Sequence, residues 1–159
     1  MYIFNAHDAI EFAIRVEENG ERFYREAARL VDDQGVKDLF SGLADDEVGH
    51  RKRFEEMRGA LGEYSPPETY EGEYMAYLRD YIDEKAVFRK ELKEDYLRGG
   101  GDTLRAIAFA LQRELDSISY YQEMKRYVPE IEHPLIDRIV GEERSHFKRL
   151  SELRKGMAG

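Results

Sequence analysis

Two glutamate–histidine pairs are the residues of this chain whose types and spacing most clearly predict chemistry. Glu47 lies three residues before His50, and Glu143 lies three residues before His146. Residues three apart project from the same face of an α-helix, so each pair offers a carboxylate oxygen and an imidazole nitrogen to one point. These ligands suit iron or manganese better than thiophilic ions, and the two pairs therefore predict a metal site.

Two further glutamates occur at matching positions upstream of these pairs. Glu17 lies seven residues before Tyr24, and Glu114 lies seven residues before Tyr121. The two copies are offset by 97 residues here and by 96 residues at the glutamate–histidine pairs. This near-constant offset indicates a duplicated helical hairpin. Two such hairpins around a pseudo-twofold axis form a four-helix bundle in which both ligand sets face the core.

Four amphipathic helices must position these residues. Apolar side chains recur at steps of three and four, which is the helical period. The predicted helices cover about residues 6–31, 36–61, 102–128 and 134–155. Candidate caps and boundary residues are Asn5, Gly62, Asp102 and Pro134. Each apolar stripe carries one of the four glutamates near its centre, so we expect the glutamates inside the bundle.

The segment 62–101 connects the second and third predicted helices. Ser65-Pro66-Pro67 breaks any helix, whereas the aromatic and apolar spacing at 74–81 and 88–96 predicts short helical pieces. About 40 residues are too many for a tight helical hairpin, so we interpret the segment as a crossover between two hairpins. The predicted fold is all-α, a bundle of two antiparallel hairpins forming one domain over residues 1–159.

Composition excludes several classes of function. The net charge of −9 argues against non-specific nucleic-acid binding, which needs clustered basic residues. The absence of cysteine excludes disulfides, zinc-thiolate sites and a cysteine nucleophile. No apolar run is long enough to span a bilayer, and the N-terminus lacks the pattern of a signal peptide. We therefore expect a cytoplasmic protein that binds neither membranes nor nucleic acid.

The simplest alternative is that the four glutamates lie at a bundle rim, partly exposed or paired with arginine. However, an isolated buried carboxylate is costly, and four converging carboxylates would repel one another without a cation. Two divalent ions would offset that charge, and this favours a dinuclear site. The same spacing occurs a third time at Glu130 and His133, but between Pro129 and Pro134, which interrupt the helix that such a pair needs.

Residues next to the predicted ligands allow more than one interpretation. The hydroxyls of Tyr24 and Tyr121 could hydrogen-bond the ligand carboxylates, or the rings could simply fill the core. Gly20 lies one turn after Glu17, and Ser117 lies one turn after Glu114. These small residues could leave room for a bound oxygen species or allow close helix packing. Asp46 and Glu142 adjoin ligands, but their angular positions point away from the stripe centres, so we leave them out of the ligand set.

These motifs together resemble the rubrerythrin branch of the ferritin-like superfamily. The resemblance is carried by residues 17–24, 43–50, 114–121 and 142–146, and it covers the four helices but not the crossover. It implies a ferritin-like bundle with a non-haem di-iron centre. It also implies an oxidoreductase that reduces hydrogen peroxide, or a ferroxidase that oxidises ferrous iron with oxygen or peroxide.

The resemblance also implies roles for the individual ligands. Glu47 and Glu143 would bridge two iron ions, and each remaining glutamate would share one ion with a histidine. Those terminal pairs would be Glu17 with His50 and Glu114 with His146. No catalytic residue is expected beyond the metal ligands. Manganese or a mixed pair in place of iron stays open, as does a bundle that binds metal without catalysis.

Two features depart from the classical members of this family. Full-length rubrerythrins carry a cysteine-rich rubredoxin domain, but this chain has no cysteine, so turnover needs a separate electron-donor protein. Classical members also carry an additional glutamate one turn after the third-helix ligand, where this chain has Ser117. Family members often dimerise, and we expect a homodimer.

Overall fold

The computed structural model of the protein describes residues 5–62 and 103–158, and it confirms an all-α four-helix bundle. The helices are α1 (Ala6–Leu30), α2 (Gln34–Ala60), α3 (Thr103–Met124) and α4 (His133–Ala158), with a short 3₁₀ helix at Glu130–Glu132 before α4. Helices α1 and α2 pack along each other as one hairpin, and α3 and α4 form the second. Contacts of α1 with α3 and of α2 with α4 join the two hairpins.

The helix ends in the first hairpin are set by polar caps. Asn5 and Asp8 form a capping box, in which each side chain accepts a hydrogen bond of 3.1 Å from the backbone N–H of the other. Asp33 caps α2 by accepting from the N–H of Val36 at 2.9 Å, so α2 begins two residues before the predicted start. Gly62 follows the end of α2 with a φ of +32°, which a glycine adopts most readily.

In the second hairpin, the ends of α3 and α4 differ from the predicted ends. Helix α3 ends at Met124, not near 128, because the N–H groups of Arg126 and Tyr127 bond to carbonyls three residues back, at 3.2 and 2.9 Å. Val128 precedes a proline, which disfavours helical backbone there. Helix α4 continues to Ala158, beyond the predicted end at 155. The Asp102 cap and the crossover from residue 63 onward, including its two predicted helical pieces, lie outside the described residues.

A layer of buried polar side chains divides the core into two apolar clusters. One cluster contains Ile10, Phe54 and Ile139, and the other contains Phe40 and Ile107. The buried charged residues come from the middle of each helix, between the stretches that supply the two clusters. The clusters therefore fix the four helices on both sides of the polar layer, as a precise ligand arrangement requires. No helix in the described ranges is long and apolar enough to cross a membrane.

Candidate metal centre

The bundle brings all six predicted ligands together in its core. Each helix contributes a glutamate at the polar layer, and α2 and α4 add a histidine one turn later. Every one of these side chains is between 0 and 2% exposed. The six residues are Glu17, Glu47, His50, Glu114, Glu143 and His146.

These residues form two overlapping groups. In each group the donor atoms lie within 4.8 Å of one another. The first group is Glu17, Glu47, His50 and Glu143, and the second is Glu47, Glu114, Glu143 and His146. Glu47 and Glu143 belong to both, so two adjacent four-ligand sites would share two carboxylates. This is an arrangement in which two metal ions can be held side by side by bridging carboxylates.

The donor atoms of these residues lie close together, but many of them form no hydrogen bond with one another. His50 Nδ1 lies 2.7 Å from Glu143 Oε1, but not in hydrogen-bond geometry, and His146 Nδ1 lies 3.7 to 3.9 Å from three glutamate oxygens. Within the described residues, the buried side-chain atoms without a hydrogen-bond partner are Glu17 Oε2, His50 Nδ1, Arg113 Nε, Glu114 Oε2, both oxygens of Glu143 and His146 Nδ1. Buried polar atoms are rarely left unpaired, and lone pairs aimed at common points fit bound cations.

Each histidine is held from its far side by a carboxylate of the opposite hairpin. His50 Nε2 lies 2.6 Å from Glu142 Oε2, and His146 Nε2 lies 3.1 Å from Asp46 Oδ2. Glu142 also accepts from Arg53 at 3.1 Å, and Asp46 lies 3.3 Å from an Nη atom of Arg149. With a cation bound at the centre, a carboxylate at Nε2 would hold the remaining ring proton there, so that the Nδ1 lone pair faces the cation.

Sequence reasoning missed this role of Asp46 and Glu142. It placed them outside the ligand set, and the structure also places them away from the converging donor atoms, against the rear of the imidazoles. The repeat held the signal that could have identified them. Asp46 and Glu142 are 96 residues apart, and so are their arginine partners Arg53 and Arg149. The pseudo-twofold relation therefore extends to the carboxylates and arginines behind the histidines.

The hydroxyls of Tyr24 and Tyr121 hydrogen-bond ligand carboxylates across the bundle. Tyr24 donates its hydroxyl hydrogen to Glu114, and Tyr121 donates to Glu17, so each tyrosine serves the glutamate of the other hairpin. Both are fully buried, and burial together with the adjacent carboxylates raises the pKa of each phenol well above its usual value. The hydroxyls therefore stay protonated and hold one oxygen of each glutamate in place.

A buried arginine also enters the centre, and the sequence did not lead us to expect it. Arg113 is 0% exposed, and its Nη2 lies 3.2 Å from Glu47 Oε2 and 3.0 Å from the carbonyl oxygen of Val16. The guanidinium fills the space beside Gly20, because a Cβ atom there would overlap it. That space is therefore not available to an oxygen species. Ser117 Oγ donates to the Arg113 carbonyl at 3.0 Å within its own helix.

Burial and neighbouring charges shift the pKa values of the four carboxylates in two directions. Burial acts to raise the pKa of Glu17, but interactions with Glu47 and His50 outweigh it, and the pKa is lowered. Burial, with repulsion from neighbouring carboxylates, raises the pKa of Glu47 and of Glu143 well above the usual value. Burial acts the same way on Glu114, but interactions with Glu143, His146 and Arg113 outweigh it and lower its pKa to about 2. Burial and repulsion therefore favour the protonated form of the two shared carboxylates, and a bound cation would favour the charged form.

The third glutamate–histidine spacing is not a cluster of ligands. His133 Nε2 lies 2.8 Å from the carbonyl oxygen of Lys125 and 3.3 Å from that of Val128. Glu130 is exposed at the start of the 3₁₀ helix, and neither residue belongs to a group of candidate metal ligands in the described part of the chain. His133 therefore ties the turn between α3 and α4 together.

Comparisons with known proteins agree with this geometry. The family model described as Rubrerythrin matches residues 8–154. A crystal structure from Thermotoga maritima, described as a candidate ferritin-like diiron-carboxylate protein, superposes with a TM-score of 0.74 at 26% sequence identity. The match covers 98% of this chain and 97% of that one. None of the curated proteins compared with the chain matches it.

Proposed function

This chain belongs to the rubrerythrin family, and from that premise we propose that it is a di-iron oxidoreductase that reduces hydrogen peroxide with electrons from a separate protein. The observation that carries the proposal is the pair of overlapping, fully buried donor groups that share Glu47 and Glu143. Glu17 and His50 would complete one iron site, and Glu114 and His146 would complete the other. The homodimer and the cytoplasmic location expected from the sequence stay predictions.

Two ferrous ions held there would supply the two electrons that reduce one peroxide, with two protons, to two waters. The chain's own part is to hold the ligands in place and to limit access of water. Glu142 and Asp46 orient the imidazoles, and the hydroxyls of Tyr24 and Tyr121 fix the outer glutamates. These 159 residues contain no cysteine that could hold a rubredoxin-type iron centre, so the proposal includes a partner protein as the electron donor.

An anaerobic titration of the metal-free protein with Fe(II) tests the proposal, followed by separate mixing with peroxide and with oxygen. We expect two irons per chain, rapid oxidation by peroxide and slow oxidation by oxygen. Faster reaction with oxygen would replace the proposal by a ferroxidase function. Failure to bind two irons would overturn the dinuclear site.

A matched pair of variants separates the site from non-specific iron binding. Glu143→Gln removes a shared ligand, and Glu152→Gln removes an exposed carboxylate from the same helix. We expect Glu143→Gln to lose stoichiometric binding and Glu152→Gln to bind like the wild type. Equal binding by both variants would contradict the assignment of Glu143 as a ligand.

A further inference from the structure

We propose that Arg113 is a permanent internal cation that makes the two metal sites unequal. The first divalent ion would bind at the Glu17–His50 side, and the second would bind more weakly at the Glu114–His146 side. This inference rests on the proposed dinuclear centre and adds to it an order of occupancy.

The guanidinium contacts the second ligand group more than the first. Its Nη2 lies 3.2 Å from Glu47 Oε2, and its Nη1 lies 3.5 Å from Glu114 Oε1. Both glutamates belong to the group that contains His146, whereas only Glu47 belongs to the group that contains His50. A fixed positive charge against two of the four ligands disfavours a second cation at that site.

The pseudo-twofold repeat supplies no matching charge on the other side. The position equivalent to Arg113, 97 residues earlier, is Val16, and the Val16 carbonyl oxygen instead accepts a hydrogen bond from Arg113 Nη2 at 3.0 Å. The position equivalent to Gly20 is Ser117. The ligands themselves are repeated, so the arginine and its glycine give the centre a charge on one side that the repeat does not supply on the other.

Gly20 is what allows the arginine to occupy this position. A Cβ atom at residue 20 would overlap the guanidinium and would lie 2.8 Å from Glu47 Oε2. The guanidinium carbon also lies 5.4 Å from the centre of the Tyr24 ring. Gly20→Ala would therefore displace the guanidinium and shift the Glu47 carboxylate slightly, without removing any charge or ligand from the chain.

The Arg113 guanidinium is a fixed positive charge of the centre. An arginine keeps its charge at all accessible pH values, whether or not a metal ion is bound nearby. Its positive charge therefore remains beside any ion that binds to Glu47 and Glu114. If Arg113 only stabilised the metal-free centre, it would not make the two sites differ in metal affinity.

A titration of the metal-free protein with Mn(II) tests the inference without any turnover. Binding is monitored by calorimetry and by the electron paramagnetic resonance signal of free Mn(II). We expect two binding steps of unequal affinity in the wild type. In Arg113→Gln and in Gly20→Ala the weaker step should tighten by about tenfold or more, since a nearby charge of the same sign is removed or displaced. Arg113→Lys, which keeps the charge, should retain two unequal steps.

Two ligand variants assign the steps to the sites. His50→Ala should abolish the tighter step, and His146→Ala should abolish the weaker one. The opposite assignment would overturn the proposed order of occupancy.

The possible failures of the two proposals are distinguishable. Two equal steps in the wild type, or unequal steps that stay unchanged in both Arg113→Gln and Gly20→Ala, would overturn this inference and leave the dinuclear centre intact. Absence of Mn(II) and Fe(II) binding by the wild type would overturn the centre itself. If circular dichroism shows that Arg113→Gln does not fold, the Gly20→Ala result decides, because that variant keeps every charge.

Discussion

Glu142 should control metal affinity although it is not a ligand. Its Oε2 lies 2.6 Å from His50 Nε2, on the side of the imidazole away from the donor cluster. His50 is 1% exposed, so no solvent replaces this partner efficiently. Removing the carboxylate lowers the basicity of the imidazole and frees its orientation, and both effects weaken the bond from Nδ1 to a metal ion.

The size of the effect depends on the substitution. Hydrogen bonds to charged groups contribute about 1.5–3 kcal/mol and neutral ones about 0.5–1.5 kcal/mol, so Glu142→Gln should lose about 1 kcal/mol. That loss corresponds to a roughly fivefold weaker affinity. Glu142→Ala removes the acceptor entirely and should weaken binding by about 10- to 100-fold. The Glu142 side chain is 35% exposed, which favours the lower part of that range.

The pseudo-symmetric partner provides an internal comparison. Asp46 lies 3.1 Å from His146 Nε2 and its side chain is 47% exposed, so its hydrogen bond is longer and more accessible to water. Asp46→Ala should therefore weaken metal binding less than Glu142→Ala. The matched control is Asp45→Ala, because Asp45 pairs with Arg25 at the surface, 2.7 Å away.

Competition between each variant and a chelator for Mn(II) gives the affinities directly, and thermal unfolding of the metal-free forms checks that the fold is retained. If Glu142→Ala bound Mn(II) as tightly as Asp45→Ala, the reasoning that the rear carboxylate tunes the ligand would be refuted. If Asp46→Ala lost more affinity than Glu142→Ala, the argument from distance and exposure would be wrong.

Two further predictions concern stability. Tyr121→Phe leaves a buried carboxylate oxygen of Glu17 without its donor, so it should cost about 1–3 kcal/mol in urea unfolding of the metal-free protein and weaken Mn(II) binding. Tyr120→Phe removes a hydrogen bond to the backbone carbonyl of Ala9 and should leave Mn(II) affinity unchanged, and an equal affinity loss in both variants would contradict this. Burial disfavours the charged form of His50, but contacts with Glu143 and Glu17 outweigh this effect and raise the pKa of His50 from 6.5 to about 11. This contribution is full below pH 6.5 and is lost as the pH rises toward 11, so the melting temperature of the metal-free protein should fall over that interval; a constant melting temperature would refute it. The raised pKa of Glu47 acts in the same direction.

Much of the centre was determined by the sequence. The helical period places Glu17 and Glu114 in apolar stripes, and the three-residue spacing places each histidine beside its glutamate. These are local properties of single helices, so they can be derived without knowing how the helices pack. The repeat then indicated two hairpins around one core, and the structure confirms the bundle.

Only the tertiary structure decided which groups meet across the bundle. Each histidine contacts a carboxylate of the opposite hairpin, and each tyrosine hydrogen-bonds the opposite glutamate, because the packing of α1 against α3 and of α2 against α4 sets those distances. No spacing along one helix encodes such a contact.

Arg113 shows the limit of the sequence most clearly. An arginine beside a ligand on a helix is ordinarily assigned to the solvated face, since burying a charge is costly without partners. Its partners are Glu47 from α2 and the Val16 carbonyl oxygen from α1, and the space that admits it is the missing side chain of Gly20. These three features are distant in the sequence and become one environment only when the helices pack.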